Sequence, residues 1–262
     1  MGKLIEALIS GLTSLLLVVR IGGSKGVPEN AGEGGQKELQ EIAVELPLER
    51  LETIKVGRER YRFASFFVAE PSRLHLFPNF LDKRAAQNLK EVKQCEALVN
   101  GGFYSEDFKP LGWLVTESRQ VSAPLQSRLL DGFFSVDQAG KAKIDWQKPA
   151  YPVRIGLQSG PMLLWQGQPL QLQIKDDQQR RRIVLAITGD QAIVFLAITG
   201  ETSEGSGPYL ADLPQIVAGI SDQLQMPFTT AVNLDGGSAS AFLTDEVQLD
   251  EVTFIGSYFC LQ

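Results

Sequence analysis

The stretch "TTAVNLDGGSASAFL", residues 229–243, is the part of this chain on which its fold and function depend most. Strand-forming residues run to Asn233, a single carboxylate follows at Asp235, and two glycines and small hydroxyl residues come next. Glycines let a ligand approach the main chain closely, and successive free N–H groups in a glycine turn form a concave site for an anion. The stretch therefore predicts a carboxylate beside exposed backbone, with Arg182 as the cation that grips a phosphate.

Other interpretations of this stretch differ in how well they fit. Asp-Gly-Gly between apolar runs is also typical of a plain hairpin turn, and on local grounds that interpretation stays open. A phosphate-binding loop of the Walker type needs a lysine after the glycines, which is absent here. A nucleophile elbow needs glycine where Ser240 stands, and the sole histidine, His75, lies in an alternating strand-like segment. A serine triad is therefore not expected.

Most of the folded chain has the alternation of apolar and polar residues that is typical of strands. The segment "AITGDQAIVFLAI", residues 186–198, predicts a hairpin whose turn contains Gly189 and Asp190. Together with the helices described next, this pattern indicates an α+β fold. We expect a single strand-rich domain with a mixed sheet and a few packed helices, preceded by an apolar leader and a flexible linker.

Two segments have helical periodicity. Residues 81–94 would place an apolar stripe on one face, made of Leu81, Ala85, Leu89 and Val92. Residues 209–225 would bury Leu213, Ile216, Val217, Ile220 and Leu224, with Asp212 and Pro214 near the start. The second helix leads directly into the strand before Asp235.

The N-terminal segment is the clue to compartment. Residues 4–19 are a mostly apolar segment interrupted by Glu6 and, as a helix, would measure roughly 24 Å, shorter than the ~30 Å hydrocarbon core of a bilayer. This length favours export to the periplasm or the extracellular space, with membrane association through residues 4–21 left open. The predicted divisions are a signal-like or anchor segment over 1–21, a flexible linker over 22–39 and one domain over 40–262.

Composition excludes several classes of partner. The net charge is -6 and the basic residues are scattered, so no basic face is expected for nucleic acid. Two cysteines and one histidine are too few ligands for a usual structural zinc site, and we expect neither a metal nor a cofactor. Cys95 and Cys260 lie in strand-like segments, so a disulfide and two buried thiols are both open.

Two further segments repeat the design of a strand followed by small residues. In "ALVNGGFYSEDFKPLGWLV", residues 97–115, a strand ends at Asn100 and Gly101 and Gly102 follow. In "LQSGPMLLWQGQPL", residues 157–170, Ser159, Gly160 and a proline interrupt an apolar run, and "WQGQ" is interpreted as the next tight turn. Asparagine side chains and bare backbone are groups that can bind sugar hydroxyls.

Taken in order, "VNGGFY", "SGPMLLWQGQ", "RIVLAIT" and "NLDGGSAS" resemble the phosphodiester glycosidase domain family over about residues 95–260. The resemblance implies a glycosidase that hydrolyses the sugar–phosphate bond of a sugar-1-phosphodiester, of the phosphoglycan or exopolysaccharide type. It implies that Asp235, Arg182 and Asn100 are catalytic. The implied substrate-binding residues are Gly101, Gly102, Ser159, Gly160, Gly236, Gly237, Ser238 and Ser240.

The chain also departs from the family pattern. Where the family has Arg-Thr-Ala-x-Gly, the sequence here is Arg-Ile-Val-Leu-Ala from Arg182, and Arg181 is the equivalent if the register shifts by one residue. Where a third glycine and a serine are usual, the chain has Ser238 and Ala239. These changes bear on substrate identity more than on fold.

The implied mechanism needs only one carboxylate, because a phosphodiester oxygen leaves as a stable anion with little general-acid help. Asp235 would act as base or nucleophile at the anomeric carbon, and any second acid would be Glu106, Asp107 or Glu201. One alternative is a protein that binds an exported phosphoglycan without cleaving it. Another is a metal-assisted phosphodiesterase that uses Asp235 and Asp190, although the sequence lacks clustered metal ligands.

Overall fold

The computed structural model describes residues 51–262, which belong to one compact unit. The predicted leader, the linker and the first residues of the predicted domain lie outside this part of the chain. In chain order the strands are β1 (Glu52–Val56), β2 (Glu59–Val68), β3 (Leu74–Pro78), β4 (Ala97–Asn100), β5 (Leu114–Thr116), β6 (Arg119–Ser122), β7 (Gly132–Asp137), β8 (Ala142–Asp145), β9 (Val153–Ser159), β10 (Met162–Trp165), β11 (Gln168–Pro169), β12 (Arg182–Thr188), β13 (Ile193–Gly200), β14 (Phe228–Asn233), β15 (Phe242–Leu243), β16 (Gln248–Leu249) and β17 (Ser257–Leu261). The helices are α1 (Ala86–Lys93) and α2 (Leu213–Gln223).

These strands form three sheets. The seven-stranded sheet has the order β1-β2-β13-β12-β14-β10-β11. The two five-stranded sheets have the orders β16-β15-β4-β17-β3 and β6-β5-β9-β7-β8. The expectation of a strand-rich domain with few helices is confirmed for the part of the chain that the structure describes.

The expectation of a mixed sheet is wrong, since each strand pairing within residues 51–262 is antiparallel. Helix α2 connects β13 to β14, and those two strands do run in the same direction. However, β12 lies between them and pairs with both. The predicted hairpin at Gly189 and Asp190 is the β12–β13 connection and is confirmed.

The central strands β12 and β13 of the seven-stranded sheet are buried on both faces. One face of β12, with Ile183 and Leu185, joins a core cluster shared with both five-stranded sheets. The other face, with Val184 and Ala186, packs against α2. Burial on both faces explains why β12 is a continuous apolar run rather than an alternating one.

One of the two predicted helices is confirmed and the other only in part. In α2 the residues Leu213, Ile216, Val217 and Ile220 are buried as expected, and Leu224 packs beside them. The predicted helix over 81–94 is confirmed only for Ala86–Lys93, where Leu89 is buried. The rest of the predicted stripe is wrong, since Leu81 is 94% exposed and Val92 is 57% exposed. The Asn79 side chain accepts a hydrogen bond from Arg84 N at 3.0 Å and donates one to Arg84 O, and these bonds hold residues 79–84 as a loop.

Cys95 and Cys260 form a disulfide between residues 165 positions apart, which decides between the two alternatives left open by the sequence. The bridge lies in an apolar cluster with Leu89 of α1 and Leu98 of β4. Neither helix within residues 51–262 is long and apolar enough to cross a membrane.

Candidate active site

The predicted motifs meet at one end of the seven-stranded sheet. Because β12 and β10 both run antiparallel to β14, the starts of β12 and β10 lie beside the end of β14. Gly160 N donates to Asn233 O at 3.0 Å, and Leu234 N donates to Ile183 O at 2.8 Å. Asp235 N donates to Gly101 O at 3.2 Å, which brings in the end of β4. The four segments that are distant in sequence therefore form one site around Asp235.

The Asp235–Gly236–Gly237 segment is not a hairpin turn. It carries the chain from β14 in the seven-stranded sheet to β15 in a five-stranded sheet, through a 3-10 turn over Gly237–Ala239. The hairpin interpretation of this stretch is therefore wrong. Asp235 lies where the chain passes from one sheet to the other.

The carboxyl of Asp235 has a strongly shifted pKa. Its side chain is half-buried, and burial raises the pKa of its carboxyl from 3.8 to about 7. The opposing influence is a hydrogen bond from Gly236 N to Oδ1 at 2.9 Å, which lowers the pKa. A carboxyl that exchanges its proton near neutral pH is suited to general acid–base chemistry.

Asn100 holds the two main chains that frame Asp235. Its Nδ2 donates to Asp235 O at 2.8 Å and to Gly101 O at 3.2 Å, and its Oδ1 accepts from Ala241 N at 3.0 Å. The residue is only 1% exposed. These bonds position Asp235, and the predicted contact of Asn100 with a sugar hydroxyl stays a prediction.

The glycines of the site are needed for close packing of the main chain. A Cβ atom at Gly101 would lie 2.4 Å from Ser257 Oγ, and one at Gly102 would lie 2.9 Å from a Leu157 methyl carbon. A Cβ atom at Gly236 would lie 2.7 Å from Arg181 O. Gly237 adopts a φ of +64°, which favours glycine, and its N–H donates to Arg181 O at 2.8 Å.

The amides of Gly236 and Gly237 thus already have partners, Asp235 Oδ1 and Arg181 O. An anion bound by these amides would have to replace those bonds.

The side chains of the three consecutive arginines, Arg180 to Arg182, contact different parts of the structure. Arg182 Nε donates to Pro208 O at 3.0 Å, and its Nη2 contacts Asp177 Oδ1 at 3.3 Å. Arg181 Nε donates to Ser240 Oγ at 2.7 Å. Both side chains are buried, whereas Arg180 is exposed.

A phosphate contact through Arg182 would require it to leave these partners. Arg180 is exposed and lies over the glycine turn, because a Cβ atom at Gly237 would be 3.0 Å from Arg180 Cδ and 3.8 Å from Nη1. Sequence reasoning passed over this arginine, since only the backbone path of the turn places it there.

The predicted serines are mostly engaged with the main chain. Ser159 Oγ donates to Asn233 O at 2.7 Å, and Ser240 Oγ donates to Gly237 O at 2.5 Å. Ser238 is exposed, and its Oγ accepts from Thr253 Oγ1 at 3.3 Å. Of these three side chains, Ser238 is the one open to a ligand.

None of the predicted second acids affects the pKa of Asp235, whose shift comes from burial and from Gly236 N. Glu201 forms an ion pair with Arg60 at 3.0 Å, and Glu106 and Asp107 are exposed in the loop after Gly102. Asp190 follows the end of β12, at the opposite end of the β12–β14 pair from Asp235. A metal site that combines Asp190 with Asp235 is therefore wrong. Residues 51–262 contain no cluster of three or more His, Cys, Asp or Glu that could hold a metal ion.

Asp131 is a carboxylate near this end of the sheet that the sequence did not single out. Its Oδ1 accepts from Met162 N at 2.8 Å, and burial raises its pKa. A Cβ atom at Gly160 would lie 2.9 Å from Asp131 N, so the loop with Asp131 packs on the residue that bonds Asn233. Asn233 Oδ1 is buried and, among the described residues, has no hydrogen-bond partner. Only the packed structure reveals either group.

Aromatic rings form the other side of the site. The rings of Tyr104 and Phe254 stack with centroids 5.6 Å apart, and Phe108 lies 4.9 Å from Phe254. Burial raises the pKa of Tyr104, and the negative charge of Asp235 adds to this effect. Asp235 is thus close enough to Tyr104 for the two groups to interact.

Comparison with known proteins agrees with this architecture. Residues 93–255 match the family model described as phosphodiester glycosidase. No sequence of a curated protein matches the chain significantly.

Solved structures share the fold. The catalytic domain of zebrafish N-acetylglucosamine-1-phosphodiester alpha-N-acetylglucosaminidase, auto-inhibited by its pro-peptide, matches with a TM-score of 0.65 and 13% identity over 81% of each chain. A hypothetical protein from Synechocystis matches with a TM-score of 0.62 and 14% identity, over 80% of this chain and 61% of that one. At these identities the likeness shows the fold alone. The family match covers more than half of the residues, and the chain therefore belongs to the phosphodiester glycosidase family.

Proposed function

We propose that this protein hydrolyses the bond between a sugar and phosphate in a sugar-1-phosphodiester of the phosphoglycan or exopolysaccharide type, and releases free sugar. The observation that carries the proposal is Asp235, a half-buried carboxyl whose pKa is raised to about 7 where the family motifs meet. The family to which the chain belongs makes hydrolysis of a phosphodiester-linked sugar the reaction to test first.

Asp235 would act on the anomeric carbon in its ionised form. As a general base it accepts a proton from water while the water oxygen bonds to the anomeric carbon. The bond from this carbon to the phosphate oxygen breaks, and the electron pair leaves with the phosphate as a monoester. As a nucleophile, Asp235 would form a glycosyl ester that water then hydrolyses. Both routes need a single carboxylate, because the phosphate is a stable leaving group.

Arg180 is the side chain that we expect to meet the phosphate. Its guanidinium lies over Gly237 and makes a hydrogen bond to Gln178 Oε1, a neutral partner. Paired bonds from a guanidinium to a negatively charged phosphate are stronger than a single bond to a neutral amide oxygen, so the guanidinium can exchange partners at low cost. Arg182 and Arg181 would instead support the loops behind the turn.

Hydrolysis is tested by incubating the protein with an aryl or alkyl diester of N-acetylglucosamine-1-phosphate and measuring released sugar. The expected result is release by the native protein and not by Asp235→Asn. Binding of the diester without release would favour the non-catalytic alternative. Activity that survives in Asp235→Asn would refute the role of this carboxyl.

We also propose that the protein is exported. The Cys95–Cys260 disulfide supports this, because such bridges persist in oxidising compartments and are rare in the cytosol. Fractionation of cells that express the full chain tests the proposal: recovery in the cytosol with both thiols reduced would contradict it.

A further inference from the structure

A cleft with a volume of about 680 Å³ opens at the opposite end of the strands that carry the candidate active site. It lies where β12 and β10 end and β14 begins, against β8 at the edge of a five-stranded sheet. The seven residues of β12, at about 3.3 Å per residue, place the cleft roughly 20 Å from Asp235. Nothing in the proposed reaction at Asp235 uses this cleft.

Aromatic side chains are exposed at the cleft. Trp165 lines it, and Trp146 packs on Trp165 with ring centroids 5.8 Å apart. Trp146 is 38% exposed and Tyr151, another lining residue, is 48% exposed, whereas Trp113 is buried in the core at 3%. Large aromatic surfaces that face solvent in a concave region are typical of binding sites.

Neutral polar groups surround these rings. The hydroxyl of Thr230 and the side-chain amides of Gln166 and Gln191 line the cleft and make no hydrogen bond to other residues of the described chain. Lys143 forms an ion pair with Asp145 at 2.5 Å, so its charge is already balanced. Asp137 and Lys141, which carry opposite charges, also line the cleft. The cleft thus combines apolar ring faces and uncharged donors and acceptors with a few charges of both signs.

We propose that this cleft binds a neutral segment of a glycan chain. The apolar C–H faces of sugar rings would pack on Trp165 and Tyr151, and sugar hydroxyls would bond to Thr230, Gln166 and Gln191. The volume lies within the range of pockets that hold small ligands of several rings. A polymer that occupies this cleft raises the local concentration of its other linkages near Asp235, without any change at the reacting bond.

Binding is tested by calorimetric titration with three hexasaccharides, made of β-1,4-linked N-acetylglucosamine, β-1,4-linked glucose and α-1,4-linked glucose. The native protein is expected to bind at least one of them saturably. The double variant Trp146→Ala/Tyr151→Ala should weaken that binding roughly tenfold or more. Tyr209→Ala is the matched control, since Tyr209 is 43% exposed but lies before α2, outside the cleft, and should leave binding unchanged.

Two further measurements separate this proposal from others. The double variant should hydrolyse a small sugar-1-phosphodiester at the native rate. If the proposed reaction does not occur, the hydrolysis assay fails while the binding assay is unaffected, so the two proposals are tested separately. Tyr151→Ala by itself repeats the binding test should the double variant unfold. The proposal is overturned if no hexasaccharide binds, or if the cleft variants bind as tightly as the native chain. It is also overturned if sedimentation shows that they instead dissociate an oligomer.

Discussion

Two aspartates lie beside glycines at opposite ends of the paired strands β12 and β14, yet their carboxyls behave in opposite ways. Asp190 follows Gly189 in the β12–β13 turn, is exposed, and accepts a hydrogen bond from Thr188 Oγ1 that lowers its pKa. Asp235 precedes Gly236 and is half-buried, and burial raises its pKa to about 7. Similar local sequence therefore gives two different acids.

The difference comes from what surrounds each turn. The Asp190 turn joins neighbouring strands of one sheet and stays in solvent. The Asp235 segment crosses between two sheets, where Asn100 holds its main chain and Tyr104 lies close by. The pKa of an acid beside a glycine is thus raised only where loops from elsewhere in the chain exclude water without supplying a neutralising charge.

The largest expected effect is on hydrolysis. Asp235→Asn should lower the turnover of a sugar-1-phosphodiester by about 10²–10⁴-fold, the usual contribution of a general base. Asp190→Asn should leave turnover unchanged, because it lies at the other end of the strands. A steady-state assay of released sugar measures both, and equal losses in the two variants would remove the contrast between them.

The same pair should differ in stability. The carboxyl of Asp235 has its pKa raised from 3.8 to about 7, so its ionised form destabilises the folded protein above that range by up to about 4 kcal/mol. Asp235→Asn should therefore gain stability relative to the native protein as pH rises from about 4 to 7, and the gain should level off above pH 7. Urea unfolding at pH 4, 6 and 8 measures the trend.

Asp190→Asn should show the opposite sign. Its lowered pKa means that the ionised carboxylate stabilises the folded protein above the unfolded-state pKa, and that this contribution is lost as pH falls through the folded-state pKa. Removing the charge should thus destabilise the protein at neutral pH. If the free energy of unfolding changed with pH in the same direction in both variants, the proposed difference between the surroundings of Asp190 and Asp235 would be contradicted.

The pH dependence of activity sharpens the comparison further. If Asp235 acts when ionised, kcat/KM should fall by about tenfold per pH unit below pH 7 and level off above it. Asp190→Asn should retain this profile. A profile that instead falls above pH 7 would mean that the protonated carboxyl is the active form.

The smallest effect concerns the glycines that neighbour the two acids. Gly237→Ala should cost about 1–2 kcal/mol of unfolding free energy, since its φ is +64° and the new Cβ would meet Arg180 at 3.0 Å. Gly189→Ala meets nothing closer than 3.9 Å and should cost no more than about 1 kcal/mol. Thermal unfolding of both variants measures the difference, and equal costs would show that the Asp235 turn is not conformationally constrained.

Prediction from sequence succeeded where short-range patterns decide the outcome. Helix α2 and the β12–β13 hairpin were identified from residues close together in the chain, and the family from four short motifs taken in order. It failed where a distant contact overrides the pattern. The stripe of residues 81–94 looked helical, but the side chain of Asn79 holds its first part as a loop, and so Leu81 is exposed.

The candidate site shows the same division. The sequence identified Asp235 and the glycines around it, because a carboxylate next to residues without side chains is visible in the chain itself. It did not show that the guanidinium of Arg182 is occupied by Asp177 and Pro208, or that Arg180 lies over Gly237. Alternation along a strand predicts the face of the sheet on which a side chain lies. It does not predict which loop that side chain contacts.

By itself, the sequence determined that this protein is strand-rich, which strands pair as a hairpin, and which acid follows the strand of the family motif. Those features depend on periodicity and turn chemistry, which act over a few residues. Only the tertiary structure decided that Asp235 has a raised pKa, that Asp190 lies far from it and that a separate aromatic cleft opens at the other end of the strands. The pKa of a carboxyl depends on its burial and on the charges around it, and both are set by segments far apart in the chain. These segments come together only when the three sheets pack.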